Sequence, residues 1–459
     1  MRRLLPFVLA ALLGGCAYYN AMYNARRLTG EAEKAEREGR TFDANTLWGQ
    51  VTVKAETVIA RHPDSKYAPE AYALIGRAHV RLRNCTRARP ALEAALGAPL
   101  DSVLAIESEL RLAQCYTELG HHQQALARYE HLLAVGGPTH RQAALIGRAR
   151  ALRSAGRPDE AVSLVEANPG LPPVERLSAY AAAGRGRETL ALADSLVAAR
   201  DSSVQWDSVI GWLAARDRDA ASTLVDRTAQ AAGVTPAAQA RRLLADAARF
   251  TDDPPRARAR YAQARDGRGM EISAAAGLAT IRLDLREAEA PEDLAAISLA
   301  LTRDVSESSL SSEGAVLQAA IDEIGRVVDS TPPGTPQGDM RTFLAAELAR
   351  DRLGAPKLAA QLFARVPDGW PESPYAPKAM LAAAQLLGDT LLARAAEARY
   401  PESPYLLASG GAYQTLRALE DSLGAFAAQS AARRPDAPRR PAGARPGPDR
   451  AGTPAGPVR

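Results

Sequence analysis

The chain has 459 residues, of which 5% are aromatic and 24% charged, with a formal net charge of +4 at pH 7. So few aromatics, much alanine and no sustained apolar–polar alternation suit tight helix pairs better than a β-sandwich and point to an almost entirely α protein. The charge sits at the ends: Arg2 and Arg3 carry +2 and residues 431–459 carry +5, leaving −3 for residues 16–430, so no nucleic-acid-binding face is expected.

In chain order, "MRRLLPFVLAALLGGC" places two arginines before an apolar run of ten residues, Leu4 to Leu13. A bilayer span takes about 20, so residues 1–15 read as a signal peptide. Leu13, Gly14, Gly15 and Cys16 resemble the bacterial lipobox, which implies that Cys16 is lipidated and becomes the first mature residue. The alternative is an ordinary secretory signal with an incidental cysteine. Several acyl chains hold a protein at a membrane where one does not. Ala17, in place of an aspartate after the cysteine, resembles the signal for an outer-membrane destination.

Next comes "AYYNAMYNARRLTGEAEKAEREG", in which Tyr19, Met22, Tyr23 and Arg26 share one helical face. Two readings fit that stripe: a partner contact close to the anchor, or, as the favoured expectation, packing onto the first repeat.

Residues 16–168 carry an internal ruler. In "LRLAQCYTELGHHQQALARYEHLL", Ala113, Tyr116, Gly120, Ala125 and Tyr129 are separated by 3, 4, 5 and 4 residues. The same ruler fits Ala32, Ala35, Gly39, Ala44 and Trp48, then Gly76, His79, Arg83, Ala88 and Leu92, then Ala149, Leu152, Gly156, Ala161 and Val165. Looser copies are Leu177, Tyr180, Gly184, Thr189 and Ala193, and Ala245, Ala248, Asp252, Ala257 and Tyr261; Gly354, Ala359 and Phe363, and Gly388 and Ala393, keep only the second half. Small residues allow two antiparallel helices to approach, large ones fill the space a turn away, and the glycine ends the first helix left-handed.

A turn also recurs, as "HPDSKYAPEAY" from His62, "WPESPYAPKAM" from Trp370 and "YPESPYLLA" from Tyr400. Pro63, Pro371 and Pro401 stop a helix, Pro69 and Pro377 suit the first turn of the next, and Tyr67, Tyr375 and Tyr405 are placed to pack across the junction.

Cys85 falls near the start of a second helix and Cys115 past the middle of the next first helix. In an exported protein they form either a disulfide or two small buried thiols. The six histidines all lie in the first third, with His79 at a core position, and no pair is spaced as in a helical zinc site. Phosphate-binding and nucleophile-elbow motifs are absent, so no cofactor and no enzymatic role are expected.

Residues 173–329 read as degenerate hairpins joined to the first array at "NPGLPPVE", with Trp206 and Trp212 as separate core fillers. Residues 330–339 within "DSTPPGTPQGD" read as a linker, and residues 340–430 resume the array. Residues 431–459, with seven prolines and almost nothing apolar, read as a disordered basic tail, either a solvated end or an arm for an anionic surface.

The ruler resembles the tetratricopeptide repeat, a helical hairpin of about 34 residues, and implies an α-solenoid. Cys16 ahead of "IARHPDSKYAPEAYALIGRAHVRL" and "LRLAQCYTELGHHQQALARYEHLL" is similar to the tetratricopeptide lipoproteins of bacterial envelopes, particularly the BamD-like outer-membrane assembly family, over residues 16–166 and again 340–405. The resemblance implies a non-catalytic, lipid-anchored adaptor on the periplasmic face of the outer membrane, with envelope proteins or peptide segments in a concave groove. The alternative is a periplasmic carrier or processing protein for a small ligand or cell-wall fragment. Residues 170–330 have no counterpart in the compact assembly lipoproteins, and the sequence carries no signal for oligomeric state.

Overall fold

The computed structural model describes residues 5–266, 269–407 and 417–425, with side chains from residue 20 onward. Every regular element among them is helical. The chain divides into two compact units, Met1–Gly267 and Arg268–Arg459. This boundary lies inside the 173–329 segment. Around "NPGLPPVE", Leu171 is instead buried against Val162 and Val165.

The first unit runs as hairpins: α1 (Leu5–Arg37) with α2 (Thr41–Arg61), α3 (Ala68–Arg81) with α4 (Cys85–Leu96), α5 (Ser102–Glu118) with α6 (His122–Val135), and α7 (Pro138–Ser154) with α8 (Pro158–Ala167). It continues with α9 (Pro173–Ala183) and α10 (Gly186–Ala198), α11 (Trp206–Ala214) and α12 (Arg218–Arg227), and α13 (Pro236–Ala247) and α14 (Pro254–Arg265). The second unit holds α15 (Met270–Glu287), α16 (Asp293–Val305), α17 (Ser311–Ser330), α18 (Gly338–Leu348) continued by a π turn (Ala349–Leu353), α19 (Pro356–Gly369), α20 (Ala376–Leu387), α21 (Thr390–Arg399) and α22 (Pro404–Leu407). Each unit is an α-solenoid of tetratricopeptide-like hairpins, in which helices pack mainly on their neighbours in the chain.

The ruler explains why. Gly39, Gly120, Gly156, Gly184, Gly354 and Gly388 all have φ between +63° and +79°, a region open to glycine at no steric cost. The residue after the turn then donates its N–H to the carbonyl five positions back, as in Arg40 to Ala35, His121 to Tyr116 and Arg157 to Leu152, at 2.8–2.9 Å. In the second hairpin Arg83 takes this conformation without being glycine, at φ +57°. Ala32, Ala35, Ala113, Ala125, Ala149 and Ala161 are fully buried, with Trp48, Leu92, Tyr129 and Val165 filling the gaps between helices.

Three copies depart from the ruler; in α21 Ala396, and not Ala393, is the buried residue. In α13 the buried residues are Ala240, Leu243, Asp246 and Ala247, with Phe250 buried just beyond its end, while Ala245 and Ala248 face solvent. The correction has a physical origin: no glycine closes that helix, and Phe250 plugs its end instead. Ala257 and Tyr261 keep the register in α14. In α18 the π turn inserts one residue, so Ala346 and Ala349, each one position early for a glycine at 354, form the buried pair.

The recurring turn is the same object each time. Ser65, Ser373 and Ser403 donate N–H to the carbonyls of His62, Trp370 and Tyr400 at 3.0–3.2 Å. The Ser65 and Ser373 hydroxyls accept from the amides of Tyr67 and Tyr375, and Pro69 and Pro377 sit in the first turn of α3 and α20. Tyr375 is buried 5.2 Å from the Phe343 ring, which also meets Phe363 edge-on.

Candidate functional site: a groove on the first helices

Because first helices follow one another side by side, α3, α5 and α7 form a continuous face in the first unit. A groove of about 830 Å³ runs across it. Its apolar floor is Val80, Leu110, Ala143, Ile146 and the edge of Tyr129. Tyr129 belongs to the second helix α6 and reaches the groove only because residue 147 of α7 is glycine; a Cβ there would collide with the phenol ring. Burial pushes the Tyr129 hydroxyl up to about 12, so it stays protonated.

Around that floor stand held and free polar groups. Arg111 donates to Glu107 at 3.1 Å, and its guanidinium is held below its usual pKa, chiefly by burial. Arg81 lies 3.7 Å from Glu36. Arg150 meets Glu175 of α9 at 2.5 and 3.0 Å. Among the described residues, the side chains of Arg83, Gln114, Glu118 and His140 make no hydrogen bond or ion pair and line the groove. An amide that can donate and accept, an apolar floor and charges of both signs suit a peptide segment, whose backbone needs both kinds of partner.

The polar wall continues beyond the cavity. Glu175 is almost fully buried and also accepts from Arg153 at 3.2 Å, and the Arg153 guanidinium lies 5.2 Å from the centre of the Trp212 ring on α11. Trp206 is a core filler at 3% exposure, but Trp212 is 38% exposed, which corrects the expectation for it. Its six-residue offset from Trp206 turns it toward the first-helix face. His79 is buried behind the groove, and burial lowers its pKa, which keeps the imidazole neutral.

The sites expected from sequence lie elsewhere. Met22 is buried against α2 and α3, Arg26 forms a bidentate pair with Glu70 of α3 and stands 5.7 Å from the Tyr67 ring, and Tyr23 is 56% exposed. The stripe therefore divides between packing and surface. The side chains of Cys16 and Tyr19, and the whole tail 431–459, lie outside the described residues. Cys85 and Cys115 are joined as a disulfide with Cα atoms 5.0 Å apart, tying the start of α4 to α5 just under the groove. No group of three or more histidine, cysteine or carboxylate side chains is arranged to hold a metal, and no helix is long and apolar enough to cross a membrane, among the described residues. Tyr129 and Arg83 are ruler positions, but the rest of the lining lies on the side of each first helix that the ruler leaves unspecified, so the groove as a whole was not legible in the sequence.

No family model and no curated protein matches the chain. Among solved structures, that of Naa15/Naa10 bound to HypK-THB is similar at 13% identity and a TM-score of 0.26, over 89% of this chain. The chain spans 63% of the length of that neighbour, and a likeness this weak carries no argument about function.

Proposed function

We propose that the protein is a non-catalytic adaptor of the tetratricopeptide-lipoprotein class, anchored by lipid at Cys16 on the periplasmic face of a bacterial outer membrane, and that the groove across α3, α5 and α7 holds a peptide segment of an envelope partner. Within that class, its role is in outer-membrane protein assembly, as in the BamD-like lipoproteins that residues 16–166 and 340–405 resemble. The observation that carries the reading is the groove itself: an apolar floor with unpartnered Gln114, Arg83 and Glu118, built on helices that the disulfide and Gly147 hold in place. The lipobox-like Leu13–Cys16 stretch supports the anchor.

The test is purification of the full chain from membranes in mild detergent, beside an Ala143→Arg variant that fills the half-exposed floor. β-Barrel or other envelope proteins recovered with the wild type at defined stoichiometry, and lost from the variant, are the expected result. Recovery of no partner, or of the same partners with both chains, overturns the groove. Intact-mass measurement of the mature chain checks the anchor separately, since a start away from Cys16 or an unmodified thiol removes it.

A further inference from the structure

The second unit contains a smaller cavity that the adaptor reading does not use. It holds about 330 Å³, at the lower end of the range for ligand pockets (about 300–1,000 Å³), and lies between the C-terminal ends of α17 and α19 and the start of α18. Val327, Val328 and Leu362 form apolar walls, Pro332 and Pro333 of the "DSTPPGTPQGD" stretch close one side, and the Trp370 indole closes another.

Three features make it a built site and not a packing gap. The indole is locked: its Nε1 donates to the Thr335 carbonyl at 3.1 Å, and its ring lies flush on Gly338, where a Cβ would collide with it. Thr342 is only 5% exposed, lines the cavity and makes no hydrogen bond among the described residues, whereas Thr331 beside it satisfies its hydroxyl on the Val327 carbonyl. That hydroxyl opens onto the cavity and is free to bond to an occupant. Finally, Arg365 and Asp368 stand at the rim on α19, both exposed and neither in an ion pair, with each other or with any described residue.

We propose that this cavity binds a small apolar zwitterion, an amino acid with an aliphatic or aromatic side chain. Arg365 takes the carboxylate, Asp368 takes the ammonium, the Thr342 hydroxyl bonds to the polar end, and the side chain lies among Val327, Val328, Leu362 and Trp370. A cation and an anion one helical turn apart match a ligand whose own charges are separated by a single carbon. A plain fatty acid fits less well, because Asp368 opposes a second negative charge at the rim.

Isothermal titration calorimetry of the full chain tests this with leucine and phenylalanine, beside leucinamide and N-acetyl-leucine. Saturable binding of at least one zwitterion, with both leucine derivatives weakened about tenfold, is expected. R365A and D368N, which change exposed residues and leave the core intact, each weaken the zwitterion about tenfold as well, and T342V weakens it less. No saturable heat at about 10 mM of any zwitterion, derivatives that bind as well as leucine, or R365A and D368N within about twofold of wild type overturns the proposal.

Discussion

Within the first unit, hairpins α3–α8 and hairpins α11–α14 hold to their neighbours by different means. In the former the seam is mainly apolar: alanines at full burial, large side chains such as Leu92, Leu112, Tyr129 and Leu132 between them, and a disulfide across the middle, with the buried Glu109 and Glu175 as isolated carboxylates paired to arginine. In the latter arginine and aspartate recur at repeat length. Asp194 pairs with Arg227, Asp207 with Arg242, Asp219 with Arg256, Asp226 with Arg260 and Arg218 with Asp252, at 2.5–2.7 Å and 33–37 residues apart. Their centre is Asp246, fully buried, which accepts from the Ser222 hydroxyl at 2.6 Å and lies 3.2 Å from Arg260 and 3.4 Å from Arg249. The comparison shows how α14, "PPRARARYAQAR", stays in register with little apolar surface. Charge pairs between successive hairpins replace part of the apolar contact, and only where one partner is buried do they specify geometry strongly.

The largest expected effect tests the apolar side. Reducing the Cys85–Cys115 bond, or making Cys115→Ser, opens a loop with a sequence separation of 30. By chain entropy this costs roughly 3–4 kcal/mol. Urea unfolding of the intact and reduced chains should show it, and hydrogen exchange should place the loss in α3–α6. Equal loss of protection in α11–α14 would mean that the two regions are one cooperative block.

Next comes Asp246→Ala, which leaves Arg260, Arg249 and the Ser222 hydroxyl facing a buried gap. Breaking a buried pair from one side costs about 3 kcal/mol. The loss should be confined to α11–α14, and added salt should loosen the same helices before α3–α6, because the partly exposed pairs are screened. A change below about 1 kcal/mol would show that the network is incidental to that region.

Gly147→Ala is the third probe. Its Cβ enters the space of the Tyr129 ring, so overpacking costs about 2 kcal/mol and the groove floor moves with it. Loss of partner recovery in parallel with stability is the expected pairing. Unchanged melting would show that the ring swings aside freely.

What could be read from the sequence follows the same division. The glycine of the ruler, the buried alanines and the thrice-used proline–serine–tyrosine turn each depend on a single residue type being required by backbone geometry. They were visible one residue at a time. Where ion pairs take over the seam, alanine is common enough to fit several frames, and the ruler falls on Ala245 and Ala248 where Leu243 and Ala247 are buried. The α18 copy was hidden by one inserted residue at the π turn. The groove and the Thr342 cavity had no signature as sites: Tyr129, Arg83, Pro332 and Trp370 are legible as ruler, linker and turn residues, but the rest of each lining comes from helix faces that no motif constrains.

The smallest effect returns to the ruler. Arg83 occupies the left-handed position that glycine fills in neighbouring hairpins, at φ +57°, and its side chain faces the groove with no partner among the described residues. An L-residue in that conformation is strained by roughly 1–2 kcal/mol, whereas glycine there adds entropy to the unfolded chain. Arg83→Gly should therefore stabilise the chain by a net of about 0.5–1 kcal/mol, read as a higher urea midpoint with an unchanged slope. The same change removes an unpaired cation from the groove. If partner recovery weakens while stability rises, the arginine is kept at the turn for binding. If stability rises and recovery is unaffected, position 83 serves only the turn, and the binding surface lies further along α5 and α7.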